Sequence, residues 1–404
     1  MRLIVLMCAA EGLAVLGFST FPALQPAFFV EWSLTNTQAG WINGIYFAAY
    51  MAAVPVLVSL TDRVDPRRVY ALGAVVSVLA SLGFALLAEG FWSALVLRGL
   101  GGMGLAGTYM PGLKALTDHV EERLRSRAVA FYTASLSIGF ALSFLLAGEI
   151  SAWLDWRWAF ALLGLGAAVA LPAVVFLVPP SAPHHLVRPD TALLDFRPVL
   201  RNRRAFAYVL AYSAHNWELF AFRSWVVTFL VFSQGLQAEG ALGLTWSATA
   251  LAALIGVLGL PASVLGNEAA QRFGRRRTAA LIMAASAAVA LGLGFLAPLP
   301  FAVVVGAALL YSFTVSGDSS ALTAGAVEAA APGQRGATMA VHSFIGFAGA
   351  FIGPLAFGVV LDLAGGRESL LAWGLAFASM GLAVAMGPVA LLTLGRCSAR
   401  TPGA

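Results

Sequence analysis

Apolar residues run along this chain in twelve long stretches separated by short polar turns, at 3–28, 38–60, 69–89, 92–117, 128–150, 158–178, 205–233, 246–270, 278–297, 301–326, 337–361 and 369–394. Each is near or above the ~20 residues a helix needs to cross a hydrocarbon core, so the pattern predicts an all-α integral membrane protein with twelve transmembrane helices. The polar positions inside the stretches are not scattered. Segments 1, 4, 7 and 10 hold Glu11, Arg98, Lys114, His215, Glu218, Arg223 and Asp318, whereas segments 3, 6, 9 and 12 hold no charge in their interiors. An ionisable side chain in hydrocarbon is costly unless it faces other protein or a wet cavity. Every third helix is therefore expected to face something polar, and these side chains to converge on one aqueous vestibule.

Composition agrees, with hydrophobic residues at 60% and charged ones at 11%, against roughly 25% charged in a soluble domain. Nineteen of the 24 basic residues fall in alternate loops counted from the N-terminus, and the opposite loops carry only Arg157 and Arg367. Cytoplasmic loops retain Lys and Arg, so both termini are expected to be cytoplasmic, in a bacterial-type inner (plasma) membrane. Trp32, Trp92, Trp153, Trp156, Trp158, Trp246 and Trp373 fall near the opposite helix ends, where an interfacial aromatic belt would sit. The net charge of +5 reflects this topology and does not point to nucleic acid. Arg2 and the apolar run after it resemble a signal peptide or lipoprotein site. Met7 before Cys8 is too large for the latter, however, and the run continues to about residue 28, so it reads as a retained first helix. Two cysteines, Cys8 and Cys397, give neither a disulfide framework nor a metal site.

The longest polar interruption, Pro179 to Arg204, carries His184-His185 and five arginines and divides the chain into an N-terminal bundle at 1–178, a cytoplasmic linker at 179–204 and a C-terminal bundle at 205–404. The halves repeat. Asp62-Arg63-Val64-Asp65-Pro66-Arg67-Arg68 follows segment 2, and Gln271-Arg272-Phe273-Gly274-Arg275-Arg276-Arg277 follows segment 8; Ser126-Arg127 opens segment 5, and Gln334-Arg335 opens segment 11.

On these residues the chain resembles the major facilitator superfamily of secondary transporters, which carries Gly-x-x-x-Asp-Arg/Lys-x-Gly-Arg-Arg between helices 2 and 3 and a degenerate copy between helices 8 and 9. Asp62 and Arg63 match, although Val58 stands where the first glycine is expected and Asp65-Pro66 lengthens the turn before Arg67 and Arg68. In the second copy Arg272, Gly274, Arg275 and Arg276 match, while Gln271 replaces the acid. Arg98-Gly99 in helix 4 and Trp156-Arg157-Trp158-Ala159-Phe160 before helix 6 are also family-like. The resemblance implies two pseudo-symmetric six-helix bundles, with helices 1, 4, 7 and 10 lining a central cavity. It also implies a cytoplasmic gate in which Asp62 reaches the N-terminal end of helix 11 or an arginine there. For Arg67, Arg68 and Arg275 to Arg277 two readings stand, gating and mere contact with anionic lipid.

Within the cavity helices, Lys114 is the only lysine, placed either to meet an anionic group on a solute or to reach the inner headgroups. Pro111 before it interrupts the hydrogen-bond ladder and could let helix 4 bend. His215 and Glu218 share a helix face; imidazole beside carboxylate suits proton coupling, or Glu218 is paired structurally with Arg223 or Arg98. Trp217 lies off that face. Asp318 is expected to pair with Lys114 on the cytoplasmic side, with Glu11 joining that group. His342 and Glu149 lie outside the cavity set and read as structural. Gly99-Leu100-Gly101-Gly102-Met103-Gly104 fits a dinucleotide fingerprint but sits inside an apolar helix with no preceding strand; its small residues suit close helix approach.

No Walker loop, paired nucleophile and base, or cofactor motif is present. The sequence thus predicts a monomeric transporter of a small polar, anionic solute in contact with membrane lipid, driven by a proton or solute gradient and with no cofactor. Arg98, Lys114, Arg223 and Trp217 are its substrate-contact candidates, and Glu11, His215, Glu218 and Asp318 its coupling candidates. Proton-antiport efflux of drugs or metabolites is the alternative, weakened because the antiporter Gly-Pro stretch of helix 5 is missing between Gly139 and Gly148, with Gly353-Pro354 in helix 11 instead. An integral-membrane enzyme is the alternative from another class; such an enzyme would normally show interfacial His, Asp or Cys clusters, and here the only His pair, His184-His185, lies in the linker.

Overall fold

The structure, a computed structural model, describes residues 1–181, 197–237, 246–332 and 334–394. His184, His185, Arg188, Arg396, Cys397 and Arg400 lie outside the described residues. Those described form helices and no strand: α1 (Arg2–Ala14), α2 (Thr20–Glu31), α3 (Asn36–Leu60), α4 (Pro66–Leu87), α5 (Phe91–Thr117), α6 (Glu122–Trp153), α7 (Trp156–Leu177), the short α8 (Arg197–Arg201), α9 (Arg203–Gly235), α10 (Ala248–Phe273), α11 (Arg275–Leu293), α12 (Phe301–Gly317), α13 (Ser319–Ala329), α14 (Arg335–Leu363) and α15 (Leu370–Thr393). Each apolar stretch is accounted for within a few residues.

Short polar side chains set the helix starts by satisfying N–H groups that the first turn leaves free. Thr35 and Gln38 form a reciprocal capping box on α3. Asp155, Asn202, Ser247 and Ser369 cap α7, α9, α10 and α15. Asp65 caps α4 by accepting from the Arg67 N–H at 3.0 Å, with Pro66 in the first position. The residues that lengthen the signature turn are therefore a helix start.

Two of the expected helices are broken. Segment 1 is interrupted between Ala14 and Thr20, and segment 10 at Asp318. The backbone freed in segment 1 is held by neighbours, as a low-dielectric setting requires: the Ser19 N–H donates to Ser143 Oγ at 2.9 Å, Ser19 Oγ to the Phe140 carbonyl at 3.1 Å, and Arg98 to the Phe18 carbonyl at 3.0 Å. The bend anticipated at Pro111 does not interrupt α5, which is helical from Phe91 to Thr117. Among the described residues nine helices, α12 and α13 counted as one, are long and apolar enough to span a membrane; α1, α2, α5 and α9 are not among them. These are the elements of segments 1, 4 and 7, which carry most of the buried charge.

α1–α7 pack among themselves, as do α9–α15, and the sets meet mainly through α3 with α14, α6 with α10 and α2 with α9. Glycine lets these backbones close. A Cβ on Gly40 would meet the Pro354 carbonyl at 2.7 Å, and Cβ atoms on Gly44 and Gly148 would strike the Phe351 carbonyl and the Thr249 side chain. Within the first set, Gly102 and Gly104 lie against Tyr46 and Ser77, so the glycine run of α5 serves close packing.

The arginine-rich turns all fall at one end of the molecule and most of the tryptophans at the other. At the tryptophan-rich end one apolar core runs through both sets, from Phe21, Phe28 and Trp156 to Trp225, Phe357 and Trp373. Towards the arginine-rich end the core divides, one part around Met7, Tyr70 and Tyr132 and the other around Tyr208, Met283 and Leu391. α3 has no buried residue from Met51 to Leu60. The sets are thus joined at the tryptophan-rich end and separate towards the other. Trp156 and Trp373 are buried in that joint instead of lying in an interfacial belt, while Trp92, Trp153, Trp158 and Trp246 are exposed.

Candidate functional site

The first set buries Glu11 completely. Tyr132 Oη donates to Glu11 Oε2 at 2.7 Å and also lies 3.1 Å from the Tyr109 carbonyl, while Glu11 Oε1 has no hydrogen bond. Arg98 is 5% exposed, and its guanidinium sits 4.5 Å from the Tyr46 ring centre and 5.9 Å from that of Phe21. No carboxylate pairs with it among the described residues.

The second set holds two acidic networks. His215 Nδ1 lies 2.7 Å from Asp318 Oδ1, both side chains 1% exposed, in a charge contact not aligned as a hydrogen bond. The Tyr212 ring stacks on His342 with centres 3.9 Å apart and lies 5.7 Å from the His215 ring; His342 Nε2 is 3.4 Å from Thr323 Oγ1. One turn further along α9, Glu218 Oε1 accepts from Ser286 Oγ at 2.6 Å and Tyr311 Oη at 2.7 Å, and Oε2 has no partner.

Several expected pairings are corrected here. Lys114 does not meet Asp318: it sits one turn from Asp118 on its own helix and pairs with it at 3.2 Å, whereas Asp318, at the α12–α13 break, is taken by His215. Glu218 is not paired with Arg223 or Arg98, because hydroxyls of α11 and α12 reach it first. Glu11 does not join Lys114 and Asp318, being held inside its own set by Tyr132. His342 belongs with the His215 cluster through Tyr212 and is not remote from it. Glu149 is exposed with no hydrogen bond among the described residues, beside a crevice between α6 and α10. Trp217 packs on the shared aromatic core, its carbonyl against Gly353. The ionic side chains are thus distributed over separate networks and do not share one vestibule in this state.

Arg223 is the exception. Among the described residues it makes no hydrogen bond or ion pair, and its guanidinium lies 5.8 and 5.7 Å from the Phe140 and Phe220 ring centres. It lines a small cavity of about 20 Å³ walled by Ser137 and Phe140 from the first set and by Leu219, Gly256 and Ser312 from the second. Here a half-buried charge meets the seam between the halves.

In the signature turns, Arg67 bonds Asp65 at 2.7 Å and donates to the Val175 and Val178 carbonyls at 3.1 and 2.8 Å, closing the end of α7. Although burial opposes it, the hydrogen bonds from Arg67 hold the Asp65 carboxyl below its usual range. Asp62 makes no hydrogen bond or ion pair among the described residues, and Arg63 and Arg68 are exposed. Arg275 bonds Glu328 at 2.8 Å and Asn267 at 3.1 Å within the second set, and Arg272 lies over Phe273.

The residues that lock the tryptophan-rich end were not among the site residues read from the sequence. Asp362 of α14 accepts from Asn36 N and Nδ2 at 3.1 and 2.7 Å and from Thr37 N at 2.7 Å, so one set's carboxylate sits on the N-terminus of the other set's helix. Gln25 bridges Asn43 at 2.7 Å and Thr228 at 3.1 Å, fully buried. For Gln25 and Asn43 the available signal was an uncharged polar residue within an apolar run, whereas Asn36 and Asp362 stand just outside theirs.

The pattern that defines the Major Facilitator Superfamily matches residues 7–354. This chain belongs to that superfamily. Among curated relatives it is 23% identical over 249 residues to "Protein spinster homolog 1" of Homo sapiens, covering 59% of this chain and 47% of that protein. It is 27% identical over 146 residues to a "Probable 4-methylmuconolactone transporter" of Cupriavidus pinatubonensis, covering 35% and 33%. The chain spans about half the length, or less, of the curated relatives it matches. Among solved structures, a bacterial spinster homologue in an inward-facing, unoccupied conformation superposes with TM-score 0.74 at 14% identity, over 98% of this chain and 95% of that one. The nucleoside transporter NupG superposes with TM-score 0.76 at 13% identity, over 98% and 100%. The fold of this superfamily member is therefore the transporter fold, a multi-pass membrane protein of two helix sets.

Proposed function

We propose that the protein is a secondary active transporter that carries a small anion with an apolar body across the inner membrane by alternating access, coupled to protons. The observation that carries this reading is Arg223, a guanidinium with no protein anion beside it among the described residues, between aromatic rings at the seam of the two sets. A carboxylate or similar group on a solute supplies the missing countercharge, and Phe140 and Phe220 suit an apolar remainder. The relatives are named for sphingolipid, lactone and nucleoside transport, a range too wide to set the class, so the pocket carries the argument.

Protons are the coupling ion in this reading because Glu218, Glu11 and the His215–Asp318 pair hold carboxylates away from solvent, the first two with no cation beside them among the described residues. A bound proton removes such a charge without moving a helix. The positive-inside rule turns the arginine-rich end to the cytoplasm with both termini, which makes this the inward-open state. Asp62, unengaged here, then meets the start of α14 near Arg335 when that end closes. The protein works as a monomer, within lipid, without nucleic acid or a cofactor and without chemical change of the solute.

The test is a thermal-shift screen of the purified protein against organic anions, cations and neutral solutes at several pH values. Organic anions are expected to stabilise the protein, and Arg223→Gln to remove that shift. Stabilisation by amphipathic cations alone would instead favour efflux of such compounds. In proteoliposomes, recovery of a chemically altered product would reject transport as the activity.

A further inference from the structure

We propose that Arg98, Ser77 and Ser81 form a binding site for a single small inorganic anion of chloride size, inside the first helix set and separate from the Arg223 pocket. The site is a cavity of about 30 Å³ lined by these residues together with Gly17, Phe18 and Tyr46. A space of this size holds one water-sized occupant, which excludes a carboxylate solute.

Arg98 brings a positive charge that the protein leaves unneutralised. One guanidinium nitrogen is bonded to the Phe18 carbonyl, Nε has no partner, and no carboxylate lies within ion-pair distance among the described residues. The faces of Tyr46 and Phe21 stabilise the cation only partially. A buried charge without a countercharge is strongly unfavourable, and an ion held next to it relieves that cost.

Two free hydroxyls supply the remaining ligands. Ser77 and Ser81 lie one helical turn apart on α4 and make no hydrogen bond among the described residues, so each can donate to an anion. Ser81 Oγ faces the interrupted stretch of segment 1, 3.1 Å from where a Cβ on Gly17 would stand. Glycine there, with Gly101 and Gly164 on the same cavity wall, leaves the room open. The interruption also adds the start of α2 at Thr20 to this region, and the positive end of a half-helix beside irregular backbone favours negative charge. Phe18 and Tyr46 belong to the aromatic layer with Phe47, Phe140 and Phe220, which separates the anion from the seam.

The experiment follows thermal unfolding of the purified full-length protein at fixed pH and ionic strength while potassium chloride replaces potassium gluconate, whose anion is too large for the cavity. The wild type is expected to show a saturable rise of roughly 2 °C or more. Arg98→Gln is expected to abolish it, the Ser77→Ala/Ser81→Ala double variant to weaken half-saturation at least tenfold, and Arg223→Gln to leave it unchanged. If Arg98→Gln does not fold, the serine double variant decides. Absence of a chloride effect in the wild type, an unaltered effect in the serine variant, or its loss in Arg223→Gln overturns the proposal. A failed organic-anion screen would leave this result untouched, because the two sites answer to different probes.

Discussion

Glu218 shows what a single buried side chain can be asked to do. Ser286 and Tyr311 donate to one oxygen and nothing meets the other, so the site tolerates a neutral amide of the same shape. Glu218→Gln is expected to abolish pH-driven accumulation in proteoliposomes while sparing solute exchange; accumulation at the wild-type level would remove Glu218 from the coupling set. Tyr311→Phe deletes one donor and is expected to cost about 0.6 kcal/mol, the average for side-chain hydrogen bonds within membranes, read from reversible unfolding. The sequence singled out Glu218, His215 and Asp318 correctly as buried polar groups, since charge inside an apolar run is visible without coordinates. It assigned their partners wrongly for Lys114, Asp318 and Glu11, because a partner is set by how helices rotate against one another, and Lys114 had Asp118 within one turn.

Elements start where caps permit and approach where glycine permits. Asp65→Asn keeps an acceptor for the Arg67 N–H but loses the ion pair with Arg67. Because the folded carboxyl lies below its unfolded range, its stabilisation is present above the unfolded value of ~3.9 and is lost as pH falls through the lower folded one. The wild type is therefore expected to lose its advantage over Asp65→Asn only below about pH 4, in parallel acid-unfolding curves. Gly44 sits where a Cβ would strike the Phe351 carbonyl, so Gly44→Leu is expected to pry α3 from α14 and raise the labelling of cysteines placed at the tryptophan-rich end; unchanged labelling would mean that the joint does not depend on this contact. Helix spans were legible to within a few residues from hydropathy. The interruptions of segments 1 and 10 were not, since Gly17 and Asp318 read equally well as interior positions, and Pro111, a stronger breaker by propensity, is accommodated.

For the whole molecule, the joint at one end and the divided core at the other imply that function requires the joint to open. A disulfide across it makes the test: with Cys8 and Cys397 replaced, Asn36→Cys and Asp362→Cys occupy positions whose native side chains touch at 2.7 Å. Oxidation is expected to stop transport and reduction to restore it. Full activity in the cross-linked protein would exclude rocking of the two sets about this seam. The single-residue variants Asn36→Ala and Asp362→Asn, left uncross-linked, show whether the substitutions alone impair transport.

The sequence by itself determined the membrane setting, the number of apolar segments, the repeat, the superfamily and which polar side chains stand within the apolar segments. These follow from local composition and spacing, and lipid imposes a penalty on each exposed polar group regardless of the rest of the fold. Only the tertiary structure decided which charges are neutralised. That depends on helix rotation and on short backbone interruptions, which place Tyr132 on Glu11, His215 on Asp318 and Asp362 on the start of α3, and leave Arg98 and Arg223 without an anion among the described residues. Pairing is a property of facing surfaces, and a one-dimensional pattern gives the residues on a surface without giving the surface it faces.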